Sequence, residues 1–139
     1  MAKKQVYQGI IRSGRGAAAN AMATLGVLEG YKQLTGLSII PGTVNITLTK
    51  PLDLTQLNYI RSADYGWELD LAKVGIEYEG EQGFHHRLIL VAGQYPASII
   101  VFNWVDDPTV DVEIVSPHHL RSALNLQDVD TIEFTLVEN

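Results

Sequence analysis

The chain has 139 residues, 46% of them hydrophobic, so it can bury a real core and matches the size of one ordinary domain covering residues 1–139. Ten Lys and Arg stand against sixteen Asp and Glu, a net charge of −6 with no basic cluster, which excludes a general nucleic-acid or anionic-membrane binder. The absence of cysteine excludes disulfides and thiolate metal sites, and any bound anion must be held locally.

The opening "MAKKQVYQG" has no apolar leader and no run approaches the ~20 apolar residues that span a bilayer, so a cytoplasmic protein is expected. Residues 5–14, "QVYQGIIRSG", alternate loosely and predict a first strand that stops at the Gly-rich "SGRGAAAN". The alanine-rich "AAANAMATLGVLEGYKQLTG" predicts a helix with Leu25, Leu28 and Leu34 on one face and Gly36 as its C-terminal cap, although Gly26 and Gly30 weaken it. "TVNITLT" predicts a second strand after a Pro-Gly turn, and "PLDLTQLNYI" a turn leading into a short strand. "WELDLAKVGIEYEGEQGFHH" reads as a hairpin or excursion with Glu77, Glu79 and Glu81 in water. "RLILVAG" and "ASIIVFNWV" are apolar enough for central strands, and "VDVEIVS" alternates again. In "SPHHLRSALNL", Ser116 reads as an N-cap and Pro117 as the first helical residue, before a final strand in "DVDTIEFTLVEN". Six or so strands in runs, with two short helices and no regular crossovers, predict a mainly β fold, a small β-barrel rather than a doubly wound sheet.

Several positions invite chemistry. The turn holding Gly14, Arg15 and Gly16 before a helix could wrap phosphate through free N–H groups, but it is neither a Walker loop nor a full GxGxxG, and from spacing alone plain turn chemistry is the favoured reading. Thr43, Asn45, Thr47 and Thr49 share one face of their strand. Threonines suit a half-exposed strand, and on the residues alone that reading is preferred. Asn, depleted in strands, fits it poorly, and a hydroxyl and an amide oxygen two residues apart would suit a hard cation completed by phosphate and water. Asp111 and Glu113 share a face in "VDVEIVS", and spacing does not distinguish them. His118, His119 and Arg121 near a helix start could clasp a nucleotide, whereas adjacent histidines do not project as a metal pair.

Taken together, "GIIRSGRGAAAN", "GYKQLTGL", "PGTVNITL" and "VEIVSPHHLRSALNLQDVDTIEF" resemble, in this order, the archaeal-type CTP-dependent riboflavin kinases. The resemblance implies a cradle-loop (RIFT-type) β-barrel that transfers the γ-phosphate of CTP to the 5′-hydroxyl of riboflavin, yielding FMN and CDP with Mg²⁺. Residue by residue, it implies Thr43 and Asn45 as the Mg²⁺ pair and Glu113 as the flavin contact that orients the acceptor or takes its proton. It implies Arg15, Gly16, Ala17, Ala18, Ala19 and Asn20 as one nucleotide wall, and His118, His119, Leu120 and Arg121 as the other. Two positions depart from the family. Its loop has a third glycine followed by aromatics where this chain runs Ala17-Ala18-Ala19-Asn20-Ala21, and its flavin-contacting threonine aligns with Val105, leaving Trp104 or Thr109 to substitute. Alternatives are a same-fold kinase for another small alcohol, or a non-catalytic barrel binding a nucleotide or a protein. No long amphipathic seam calls for a partner subunit, so a monomer is expected.

Overall fold

The computed structural model describes residues 5–13 and 26–138. Seven strands and two helices are described in it: β1 (Val6–Arg12), α1 (Val27–Thr35), β2 (Val44–Leu48), β3 (Asn58–Arg61), β4 (Gly83–Val91), β5 (Tyr95–Phe102), β6 (Asp111–Val115), α2 (Leu120–Ala123) and β7 (Thr131–Leu136). All pairings are antiparallel, in the order β4-β5-β6-β2-β1-β7, and β7 returns to β4 to close a six-stranded barrel. Among the described strands, closure leaves no unpaired barrel edge. Strand β3 pairs with residues 83–86 of β4, while β7 takes residues 89–91 farther along. The expected small β-barrel with two short helices is therefore what the chain forms.

Alternation explains the barrel interior. Tyr7 and Ile11 on β1, Ile46 and Leu48 on β2, Val112 and Ile114 on β6, and Ile132 and Phe134 on β7 point inward with Ile89, Val91, Ile99 and Val101. Strand β5 is buried on both faces. Its outward Ile100 joins Val115, Phe84, Ile60, Trp67, Ile39 and Tyr31 in a second core beneath α1. This doubly covered position is why "ASIIVF" reads as a continuous apolar run.

Helix α1 ends at Gly36, whose φ of 78° is left-handed and whose N–H donates to the Lys32 carbonyl, as expected of a C-terminal cap. Its buried side chain is Tyr31, flanked by half-buried Val27 and Leu28, whereas Leu34 is 44% exposed. The expected leucine face is thus corrected: the contact with the barrel runs through an aromatic residue, and Leu25 and the residues before it lie outside the described residues. The second helix also begins later than Ser116 and Pro117 suggest. Ser116 is buried, its Oγ donates to the Pro96 carbonyl at 2.8 Å and accepts from the His118 N–H at 3.1 Å, and helical turns start only at Leu120. The Ser116 hydroxyl thus accepts a cap-like bond from the His118 N–H while its hydrogen ties the segment to β5, and the helix itself starts later. The stretch after β3 is an excursion of short 3₁₀ turns, not a hairpin, with Glu77, Glu79 and Glu81 exposed. Among the described residues, no helix is long and apolar enough to cross a membrane.

Candidate active site

The polar face of β2 lies on the outside of the barrel, opposite inward Ile46 and Leu48. Pro41-Gly42 leads into it, and the φ of 107° at Gly42 is a conformation that a side chain would strain. Strand register then assembles the site. Arg12 is the direct partner of Asn45 across β1–β2, Asn45 is the partner of Glu113 across β2–β6, and Glu113 is the partner of Ile100 on β5. Thr43, diagonal to Glu113, donates its Oγ1 hydrogen to Glu113 Oε1 at 2.8 Å. One row of the outer face therefore reads Arg12, Asn45, Glu113, with Thr43 beside the last.

This geometry separates the two carboxylates that spacing leaves equivalent. Burial pushes the Glu113 carboxyl above its ordinary pKa, opposed by the Thr43 hydrogen bond and by the positive charge of Arg12. Asp111 instead meets Thr47 Oγ1 at 3.4 Å, a long bond on the open strand face. Thr49 likewise donates to the Gln8 carbonyl at 3.3 Å, so Thr47 and Thr49 tie strands together.

An open groove of about 180 Å³ adjoins this row. It is lined by Thr43 and its Pro41-Gly42 turn on one side and by Ser116 and His118 to Ser122 on the other. The expected nucleotide wall from His118 to Arg121 is thereby brought against Thr43 of the expected metal pair, with Asn45 two residues along the same strand. His118 and His119 are exposed, and the His118 ring packs edge-on to Tyr95 at 5.4 Å. Leu120 is only 2% exposed and belongs to the barrel core, so its side chain anchors α2. Arg121 donates to Asp128 at 2.8 Å, and Asp128 also accepts from Ser13 Oγ. Asp128 thus ties the end of β1, where the Gly-rich segment begins, to the opposite wall. Arg15, Gly16, Ala17, Ala18, Ala19 and Asn20 lie outside the described residues.

Val105 sits half-buried in the turn after β5 and carries no hydrogen-bonding side chain. Of its two possible substitutes, Thr109 is engaged within its own turn, its Oγ1 donating to Asp107 at 2.6 Å. Trp104 stacks on Phe102 at 4.4 Å between ring centroids and is half-buried, which leaves an aromatic surface at this end of β5.

Sequence reading missed two things here. Arg12 looks like the polar end of an alternating strand, and only lateral register places it beside Asn45. The second is a buried polar cluster under α1, where the Tyr31 hydroxyl bridges Ser98 Oγ and His86 Nδ1, the latter at 3.0 Å. Desolvation raises the Tyr31 pKa and lowers that of His86, to which the neighbouring His85 contributes.

The two oxygens expected to hold Mg²⁺, the Thr43 hydroxyl and the Asn45 amide, are hard donors, as that ion requires. Among the described residues no three His, Cys, Asp or Glu converge on a metal position. A cation held here would therefore depend on neutral oxygens, phosphate and water. Thr43 gives its hydrogen to Glu113, so its lone pairs remain available, and the residues fit the ion.

The profile labelled CTP-dep_RFKase, described as domain of unknown function DUF120, matches residues 11–136. The chain is 31% identical over 137 residues to the riboflavin kinase of Methanospirillum hungatei, covering 96% of this chain and 59% of that protein. It is 30% identical over 132 residues to the riboflavin kinase of Pyrobaculum aerophilum, covering 93% and 59%. With the riboflavin kinase of Methanococcus vannielii it shares 25% identity over 131 residues, 90% of this chain and 92% of that one. It thus spans about three-fifths of the first two relatives and nearly all of the third. The fold is that of a closed antiparallel β-barrel, and the chain belongs to the CTP-dependent riboflavin kinase family.

Proposed function

We propose that this barrel transfers the γ-phosphate of CTP to the 5′-hydroxyl of riboflavin, giving FMN and CDP, with Mg²⁺ held by Thr43 and Asn45. The observation that carries the reading is Thr43, which lines the groove bounded by His118 to Ser122, donates to Glu113 and shares its strand face with Asn45. The family and its riboflavin kinase relatives support the choice of substrates.

In the reaction, the acceptor hydroxyl oxygen forms a bond to the γ-phosphorus. The bond from that phosphorus to the β,γ-bridging oxygen breaks, its electron pair leaves on CDP, and the hydroxyl proton passes to Glu113 or water. A loose transition state of this kind needs positioning and charge compensation more than proton abstraction. Mg²⁺, when bound, supplies charge neutralisation across the phosphates. Glu113, oriented by Thr43, holds the ribityl hydroxyl in line. The groove wall from His118 to Arg121 seats the nucleotide, with Arg121 steadied by Asp128.

Val105, in place of a hydroxyl-bearing residue, favours as second reading a kinase of the same fold for another small alcohol. The test is incubation of the protein with Mg²⁺, riboflavin and each of CTP, ATP, GTP and UTP, following FMN by chromatography. FMN from CTP is expected. No FMN, with thermal stabilisation by CTP, transfers support to the second reading or to a non-catalytic binder, and neither response defeats a nucleotide role.

A further inference from the structure

Arg12 is the last residue of β1 and the direct cross-strand neighbour of Asn45, whose other neighbour is Glu113. Its Nε is buried and has no hydrogen-bond partner. A buried guanidinium donor is costly to leave unpaired, so such a group is conspicuous when the others are engaged. Among the described arginines they are: Arg61 bonds Asp64 and Glu81, Arg87 bonds the carbonyls of Gln56 and Val137, and Arg121 bonds Asp128. Glu113 feels the Arg12 charge, yet its side-chain hydrogen bond goes to Thr43. Local positive charge matters more in a chain of net charge −6, which repels anions at long range.

We propose that Arg12 is a phosphate-anchoring residue of this site: its planar, permanently charged fork receives the transferred phosphoryl group between Asn45 and Glu113. A guanidinium suits this task because it pairs with two phosphate oxygens at once and cannot lose its proton. Its position on a barrel strand, fixed by pairing on both sides of the row, gives it the rigidity that a loop cation lacks. The inference rests on the kinase reading for the identity of the phosphate, but the anion site itself is testable without it.

The experiment is calorimetric titration of the full chain with inorganic tripolyphosphate in EDTA, for wild type, Arg12→Met, Arg12→Lys and Arg61→Met. Wild type is expected to bind. Arg12→Met is expected to lose roughly ten- to hundredfold in affinity, as for loss of a charge-assisted hydrogen-bond pair. Arg12→Lys should recover part of this, and Arg61→Met, whose guanidinium is already engaged, should bind as wild type. Equal binding by wild type and Arg12→Met, or no binding by wild type, overturns the proposal. Should Arg12→Met fail to fold, Arg12→Lys decides, since unchanged affinity there is incompatible with forked recognition. The kinase reading fails separately: a wild type that makes no FMN with any nucleotide, while its tripolyphosphate affinity still depends on Arg12, keeps the anion site and loses the reaction. FMN formation together with indifference of tripolyphosphate to Arg12 does the reverse.

Discussion

Replacing Gly30 by alanine sets two effects of opposite sign against each other. Gly30 lies inside α1, where alanine is favoured over glycine by up to about 1 kcal/mol through helix propensity. A Cβ there, however, would stand 2.6 Å from Trp67 Cζ2, closer than real Cβ contacts come. Trp67 cannot yield cheaply, because it is 7% exposed and wedged between Tyr65 and Phe84, with ring centroids at 4.7 and 6.2 Å. Overpacking of this kind costs about 1–3 kcal/mol, so the net effect of Gly30→Ala is a destabilisation of roughly 0.5–2 kcal/mol. Urea unfolding followed by circular dichroism measures it as a lowered midpoint at unchanged m-value. In a Trp67→Phe background the smaller ring removes the conflict, and the same Gly30→Ala change should become neutral or stabilising, a coupling that a double-mutant cycle isolates. If Gly30→Ala stabilises the wild-type chain, the close packing of α1 on Trp67 is refuted.

Val129 is 79% exposed and held at a φ of 67°, a left-handed conformation unfavourable for a β-branched residue, so Val129→Gly should raise stability by roughly 0.5–1 kcal/mol, read as a higher melting temperature. His86 is buried with a lowered pKa, so the unfolded chain binds its proton first; stability present above the unfolded value of about 6.5 should decline as pH falls from there toward the folded value. That decline should shrink in His86→Gln, and an unchanged pH profile would count against the buried neutral imidazole. Asp128→Asn should change stability by less than about 1 kcal/mol, because its pair with Arg121 is exposed, yet should weaken CTP binding by releasing Arg121 and Ser13 together. Equal CTP affinity in calorimetry would remove Asp128 from the site.

What could be read from the chain and what could not divide along a physical line. The alternation of Val44, Ile46 and Leu48 against Thr43, Asn45 and Thr47 is local, and it is enough to put an unusual asparagine on the polar face of its strand. The doubly buried β5 and the Gly36 cap were legible for the same reason. Lateral neighbours were not. Arg12 meets Asn45 only through the β1–β2 register, which joins residues 33 positions apart, and no periodicity encodes that pairing. Ser116 carries every local mark of a helix cap and does accept from the His118 N–H, but its second bond, to the distant Pro96 carbonyl, could not be read locally. Leu34 looks apolar enough to face the core, but Tyr31, anchored through Ser98 and His86, sets the rotation of α1. The stretch from Ser62 to Gln82 lacks a dominant period because it is held by point contacts, such as Gln82 to the backbone of Leu69.

The central claim is that Thr43 and Asn45 hold the Mg²⁺ on which phosphoryl transfer depends. The most direct measurement is the initial rate of FMN formation from CTP and riboflavin as a function of Mg²⁺ concentration, for wild type, Thr43→Ala and Asn45→Ala. Each variant is expected to lose on the order of a hundredfold in rate at moderate Mg²⁺ and to regain part of it as Mg²⁺ rises. Wild-type rates with an unshifted Mg²⁺ dependence in both variants would contradict it.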